Sequence, residues 1–387
     1  MAEARVLLDL TRSLRRLSVQ RASGIDRVEH AYLNRAIARD GRFLIALGGT
    51  HYLLGSDGAR ALKRLIAGED GVLDLKAQLR PDRNRRLRMG ESLVRKWAIA
   101  EGRVADLAQG HDVYLNVGHT NLDVSVMEGL SGLTRLVMLH DLIPLEHPEF
   151  ARPQGAAQMR ERLKAACLAE HLIVNSEDTG GRVLRAAGEL GLAAPAWTKL
   201  ALGIDLPPRP DVKAGDHFVY LSTIEPRKNH ALLLDIWRPD WPELHFIGRR
   251  GWENREVFRR LDQAPANIRE ESDLPDAEVW RRLASAKALL FPSYVEGYGL
   301  PLAEALALGT PVIASDLPAF REIAGEVPDY LAPDDHAGWA RMIGDYIADG
   351  PARDAQIARL AGWAPPGWDG HFSGLDGLLR DLLPQRV

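Results

Sequence analysis

Short apolar runs of strand length alternate with longer amphipathic stretches of helical period from one end of the chain to the other. In the first half the strand-like runs fall at 5–9, 43–47, 113–117, 136–140, 171–175 and 197–202. A proline-dense stretch without periodicity follows, Leu206-Pro-Pro-Arg-Pro-Asp-Val-Lys-Ala-Gly215. The pattern then restarts with 217–222, 244–248, 288–291 and 311–315, each followed by a helical pattern. Continuous apolar runs separated by helices are the mark of parallel strands buried on both faces. At 387 residues and 46% hydrophobic composition the chain exceeds what one core accommodates, which is roughly 250 to 300 residues. The expectation is therefore α/β: two Rossmann-like parallel-sheet domains, 1–205 and 216–366, joined by a linker at 206–215 and facing each other across a cleft.

In open parallel sheets, ligands bind beyond the carboxyl ends of the strands. Polar clusters stand at those positions: Leu139-His-Asp-Leu-Ile-Pro144, Asn175-Ser-Glu-Asp-Thr179, Ser222-Thr-Ile-Glu-Pro-Arg-Lys-Asn-His230, Gly248-Arg-Arg-Gly-Trp252 and the loop around Glu296. That loop is the most informative part of the chain. The apolar run 288–291 breaks at Gly297 and Gly299, and Pro301 suits a first helical turn, where its missing N–H costs nothing. Glu296 is thus a loop carboxylate and Glu304 a helical one, with the free N–H groups of Gly299 and Leu300 between them offering an anion site. Arg227 and Lys228 are adjacent cations at the start of a helix spanning 231–237, which Asn229 can cap. Cations are electrostatically misplaced at a helix start, so a diphosphate is their natural partner, and Ser222 and Gly248 lie on the same rim. His140 and Asp141 end the run 136–140, and Pro144 turns the chain out of the sheet there, holding both at the rim. Ser23-Gly24 precedes a helix spanning 28–38, where Gly24 is either a simple turn or a phosphate or acceptor contact.

A net charge of -4 and a pI near 6.3 argue against a dedicated nucleic-acid binder. The single cysteine, Cys167, excludes an intramolecular disulfide framework and implies a cytoplasmic setting. The N-terminus lacks a charged region followed by a long apolar core, and no run reaches about 18 apolar residues, so neither a leader nor a spanning helix is expected. The basic stretch 80–88, continued by Arg95 and Lys96, suits either a solvated helix face or peripheral contact with the inner membrane surface. No Asp-x-Asp triplet and no Gly-x-Gly-x-x-Gly after a strand occur. These absences argue against a two-aspartate metal–diphosphate site and against a dinucleotide dehydrogenase, and leave protein cations to neutralise a leaving phosphate.

The block Pro292-Ser-Tyr-Val-Glu-Gly-Tyr-Gly-Leu-Pro-Leu-Ala-Glu304-Ala, with Gly309-Thr-Pro-Val-Ile-Ala-Ser-Asp316, 223–230, 248–252 and the Arg321-Glu322 pair, resembles the retaining glycosyltransferases of family 4, which have the GT-B fold. His140-Asp-Leu-Ile-Pro144 resembles the mannosyltransferase-like branch of that family. The resemblance is strongest over 218–333 and implies that Glu296 contacts the donor sugar, Glu304 the ribose hydroxyls, Arg227 and Lys228 the diphosphate, and His140 the transferred hexose. It further implies that 367–387 carries a last helix crossing back onto the first domain. Family members commonly have paired glycines after the first strand, where this chain has only Ser23-Gly24. The implied activity is metal-independent retaining transfer of a hexose, with mannose favoured and GDP-mannose as donor substrate rather than any resident cofactor. The implied acceptor is a hydroxyl of a glycan or lipid-linked oligosaccharide in polysaccharide or lipopolysaccharide assembly. A nucleotide-sugar epimerase of the same fold and a non-catalytic sugar-nucleotide binding module are the alternatives.

Overall fold

A computed structural model describes residues 4–19, 22–69, 83–206 and 208–383. Its first sheet comprises β1 (Val6–Asp9), β2 (Arg42–Leu47), β3 (Thr50–Leu54), β4 (Ala98–Gly102), β5 (Val113–Asn116), β6 (Thr134–Leu139), β7 (His171–Val174) and β8 (Trp197–Lys199). Its second comprises β9 (Phe218–Leu221), β10 (Leu244–Ile247), β11 (Ile268–Glu271), β12 (Ala288–Phe291), β13 (Val312–Ser315) and β14 (Asp329–Leu331). The orders are β4-β3-β2-β1-β5-β6-β7-β8 and β11-β10-β9-β12-β13-β14. Pairing is parallel throughout except for β2–β3 and β3–β4, with Leu8 opposite Phe43 and Leu115 in the first sheet and Val219 opposite His245 and Leu289 in the second. Both sheets reverse direction of winding beside their first strand, β1 or β9. That is where an open sheet leaves a crevice at its carboxyl edge.

The strands β7, β10, β12 and β13 bury every residue, which is why their runs are legible. β3, β4, β11 and β14 lie outside the strands expected from the pattern. β4 and β11 are edge strands, and β11 reads Ile-Arg-Glu-Glu because one side of it faces water. Where the expected strands ran on to 117, 140, 175, 222 and 248, the ladders stop one residue sooner. His140, Asn175, Ser222 and Gly248 therefore leave the sheet and turn to the rim. At Gly248, φ is +155° and a Cβ would stand 1.9 Å from the Ser222 carbonyl oxygen, so only glycine lets these two strand ends close up.

Phe218, Tyr220, Phe246, Phe291, Leu302, Trp339 and Tyr346 fill the second core, and Leu206 and Val212 of the proline-dense connection pack against it. The first sheet has a core on each face, one around Leu8, Phe43 and Met138, the other around Leu7, Tyr114 and Val137. The helix Trp368–Leu382 returns to the first of these through Leu375 and Leu378, with Tyr32 Oη 2.8 Å from His371 Nε2. Trp368 stacks on Phe372 and Trp363 Nε1 donates to the Ile323 carbonyl, both packing roles. Among the described residues no helix is long and apolar enough to cross a membrane. Of the basic stretch, 80–82 lie outside the described residues. In the helix Arg83–Trp97, Arg86 donates to the carbonyls of Leu65 and Ile66, closing the end of the helix Ser56–Ala67 rather than standing free.

Candidate active site

The loop after β12 places Glu296 where the sequence pattern expects it, and the structure adds what surrounds it. Its carboxylate is 8% exposed and accepts from Lys228 Nζ and Ser293 Oγ (2.8 Å) on one oxygen and from Arg227 Nη1 (2.7 Å) on the other. Arg227 turns its Nε to Glu225 at 2.7 Å. Burial alone would raise the Glu296 carboxyl, but Arg227 and then Lys228 outweigh it and hold it at about 2. Burial and the neighbouring Arg227 push Lys228 below its ordinary value, with Glu296 opposing them. For Arg227 burial acts downward and is overcome by Glu296 and Glu225. Both cations are thus carboxylate-neutralised, and a diphosphate would have to share them.

The turn that presents them is a 3-10 turn, Pro226–Lys228, followed by Asn229 at φ +54° and the helix His230–Ile236. Asn229 does not cap that helix with its side chain, contrary to expectation. Its Nδ2 donates to the Pro333 carbonyl at 2.7 Å, tying the cation turn to the loop after β14, because the left-handed backbone at Asn229 directs the amide outward. Tyr220 Oη donates to the Lys228 carbonyl and lies 3.3 Å from Ser293 Oγ, bracing both halves of the site from β9. Ser222 Oγ faces His230 Nε2 at 3.3 Å.

The two sheets meet at this loop. A Cβ on Gly297 would lie 2.5 Å from the His140 carbonyl oxygen and 2.7 Å from the Asp141 Cβ, so glycine lets the lobes come together here. Thr179 Oγ1 donates to the Gly297 carbonyl (3.4 Å), Tyr298 Oη to that of Leu202 (3.1 Å), and Glu322 accepts the backbone N–H groups of Glu177 and Asp178 (2.7 and 2.9 Å). The helix starts at Gly24 and Leu300 face each other, with a Cβ on Gly24 3.1 Å from Leu300 Cδ1. Ser23 caps the helix Gly24–Ala38 in a capping box with Asp26, four residues earlier than the pattern suggested. Gly299, at φ +127°, begins the helix Leu300–Ala307, and Pro301 sits in its first turn.

Glu304 is where the pattern puts it on that helix, with one carboxylate oxygen already engaged. Arg27 of the first lobe binds its Oε1, leaving Oε2 without a partner among the described residues. Burial keeps this carboxyl above its ordinary value, with Arg27 only partly offsetting it. His140 is buried, and burial lowers it to about 4, so it is neutral at physiological pH. Its Nε2 lies 2.8 Å from the Val117 carbonyl, which leaves Nδ1 as an acceptor. Asp141, raised by burial and lowered by the field of Arg227, stands across the cleft from the Glu296 cluster.

Glu225, Ser293, Arg27 and His119 join the expected residues at the rim, where Asp141 stands as expected. Glu225 and Ser293 lie inside the polar clusters at the strand ends, and Arg27 lies three residues after Gly24. His119 follows β5, whose carboxyl end escaped notice, although the rule that located the other clusters applies to Gly118-His119 equally.

Two parallel-dominated sheets meeting through their carboxyl edges, with a last helix returning to the first, define the GT-B architecture. The Anabaena protein Alr3699/HepE, solved in complex with UDP, shares that fold with a TM-score of 0.66 and 16% identity, over 98% of this chain and 100% of that one. Residues 211–359, most of the second lobe, match the family described as Glycosyl transferases group 1. Over 256 residues the chain is 27% identical to the serotype-specific mannosyltransferase WbdA of Escherichia coli, 56% of this chain and 30% of that protein. O-antigen chain mannosyltransferase B of Escherichia coli is 25% identical over 240 residues, 57% of this chain and 63% of that protein. The chain spans under a third of the length of the first of these relatives.

Proposed function

We propose that the protein is a glycosyltransferase that moves a hexose, best assigned as mannose from GDP-mannose, to a hydroxyl of a glycan or lipid-linked oligosaccharide in surface polysaccharide assembly, with retention and without a metal. The observation that carries this reading is the buried Glu296–Lys228–Arg227 cluster at the carboxyl edge of the second sheet, pressed against His140 and Asp141 of the first. In this reading the acceptor oxygen bonds to the anomeric carbon as the bond to the diphosphate oxygen breaks. The proton passes to the departing phosphate. Arg227, Lys228 and the N–H groups at the Leu300 helix start stabilise the charge that grows on that phosphate, the main term in a dry cleft. Glu296 holds both cations in register and accepts from a donor-sugar hydroxyl. His140 Nδ1 accepts from another. Glu304 takes the ribose hydroxyls through its free oxygen. The mannose and polysaccharide assignments lean on the similarity to the two mannosyltransferases above, and the cytoplasmic, membrane-peripheral setting on the chemistry of such acceptors.

The test is a panel of GDP- and UDP-sugars assayed for nucleotide release, with and without crude glycolipid acceptor and with and without chelator, beside Glu296→Ala and Lys228→Ala. Acceptor-dependent release from GDP-mannose, resistant to chelator and abolished by either substitution, is expected. Release that survives both substitutions sinks the site, and release without acceptor sinks the transfer.

A further inference from the structure

The first lobe carries a charged pocket that the reaction above does not use. Where the chain leaves β5, a cavity of about 280 Å³ opens, lined by Arg15, His119, Asn121, Asp123 and Arg162 among others. Its wall is a preset loop. His119 and Asn121 both hold left-handed backbones, at φ 57° and 58°. Asn116 fixes the loop from inside: its Oδ1 accepts from the N–H groups of Gly118 (3.2 Å) and His119 (3.1 Å), and its Nδ2 donates to the Thr120 carbonyl (2.9 Å). Asn121 Nδ2 donates to the buried Asp9 (2.7 Å), and His119 Nε2 lies 2.9 Å from the Met138 carbonyl. Asp123 Oδ1 is taken by Val126 N–H and Ser125 Oγ.

Against this fixed wall stand two arginines of a different kind from their neighbours. Arg12 and Arg16 both pair with Asp26. Arg15 and Arg162, on the helices Thr11–Arg15 and Gly155–Ala166, make no side-chain hydrogen bond or ion pair with any described residue. Arg162 is half-buried, and burial together with Arg12 pushes it below its ordinary value, with the field of Asp141 opposing. A guanidinium taken out of water without a counter-ion is a cost that an anionic ligand removes, and its planar fork suits the oxygens of a phosphate or carboxylate. The pocket also adjoins the transfer site. The ring centroids of His119 and His140 are 5.0 Å apart, and the His140 N–H lies 3.3 Å from His119 Nε2.

We propose that this pocket receives an anionic group of the acceptor, a phosphate ester or a sugar carboxylate, with Arg162 and Arg15 selecting for it while the acceptor hydroxyl reaches the donor sugar beside His140. The word acceptor rests on the transferase reading, but the anion site does not. The test is calorimetric binding to the full chain, with GDP present and at constant ionic strength, of three probes: geranyl diphosphate, methyl glucuronide and neutral methyl mannoside. One of the anionic probes is expected to bind at least tenfold more tightly than the neutral one. Arg162→Gln should weaken it by ten- to a hundredfold, the range of a lost charge-assisted hydrogen bond, with Arg15→Gln doing less and Arg162→Lys restoring part. GDP affinity and melting temperature should stay those of the wild type. A preference for the diphosphate identifies a polyprenyl-type carrier; one for the glucuronide, an acidic sugar. Equal binding of charged and neutral probes, or an anion affinity untouched in the double variant, overturns the proposal. Arginine-dependent anion binding in a protein that turns over no nucleotide sugar would leave the pocket standing and sink the transferase. Turnover onto a neutral acceptor that ignores both substitutions would do the reverse.

Discussion

Replacing Glu296 with glutamine keeps the shape of the cluster and removes its negative charge. Arg227 retains Glu225 at 2.7 Å, so the unbalanced cation in Glu296→Gln is Lys228, already pushed down by burial and by Arg227. The magnitude follows from the carboxyl itself. It is held at about 2, against 4.5 for an unperturbed glutamate, in a site closed to water. At about 1.36 kcal/mol for each pH unit, that difference is worth about 3 kcal/mol of stability at neutral pH. It agrees with the roughly 3 to 5 kcal/mol expected on breaking a buried pair from one side. The sign follows from the depressed value. The contribution is complete above about pH 4.5 and is lost as pH falls toward 2, so the gap between wild type and Glu296→Gln should be about 3 kcal/mol at pH 7 and less than half of that near pH 3. Urea unfolding followed through tryptophan fluorescence, to which the buried Trp237 and Trp339 of the second core report, measures it. A gap under about 1 kcal/mol at pH 7, or one that stays constant down to pH 3, would refute the charge pairing on which the donor site is built.

Gly248→Ala puts a Cβ within 1.9 Å of the Ser222 carbonyl at a backbone angle that alanine disfavours. It should cost several kcal/mol and show as lost soluble yield or a melting temperature lowered by about 5 °C or more. Glu322→Ala removes two charge-assisted bonds to the start of the helix Glu177–Glu189, together with the Lys199 contact across the cleft (3.5 Å), and should open the lobes. A larger radius of gyration in small-angle scattering, with a loss of about 1 to 3 kcal/mol, is expected, and an unchanged radius contradicts the latch. His140, held at about 4, should leave the rate profile flat between pH 6 and 8 in the wild type as in His140→Asn; an inflection near pH 6.5 present only in the wild type would show a proton on the ring.

Particular residues show how much of this was legible. The strands β5, β7, β12 and β13 announced themselves because both faces are buried, and β6 and β10 did so despite Arg135 and His245 because the rest of each run is apolar. β11 and β14 did not, because an edge strand of Arg and Glu or a three-residue strand has no periodicity to read. Glu296, Arg227 and Lys228 were legible as chemistry at the ends of strands. Their mutual neutralisation was not, since partners 68 and 69 residues apart in the chain meet only when β9 and β12 lie side by side.

By itself, the sequence determined the α/β alternation, the two-sheet division around the proline-dense connection and the ring of polar loops at strand ends. These follow from local rules, because burial on both faces, glycine punctuation and a proline in a first turn act within a few residues. The tertiary structure alone decided that Asn229 reaches Pro333 instead of capping its helix, that Arg27 of one lobe occupies Glu304 of the other, and that among the described residues Arg15 and Arg162 lack the carboxylate that Arg12 and Arg16 share. Each depends on which distant element packs alongside. The free energy of a buried charge is set by the groups within a few ångströms of it, and no spacing along the chain specifies those.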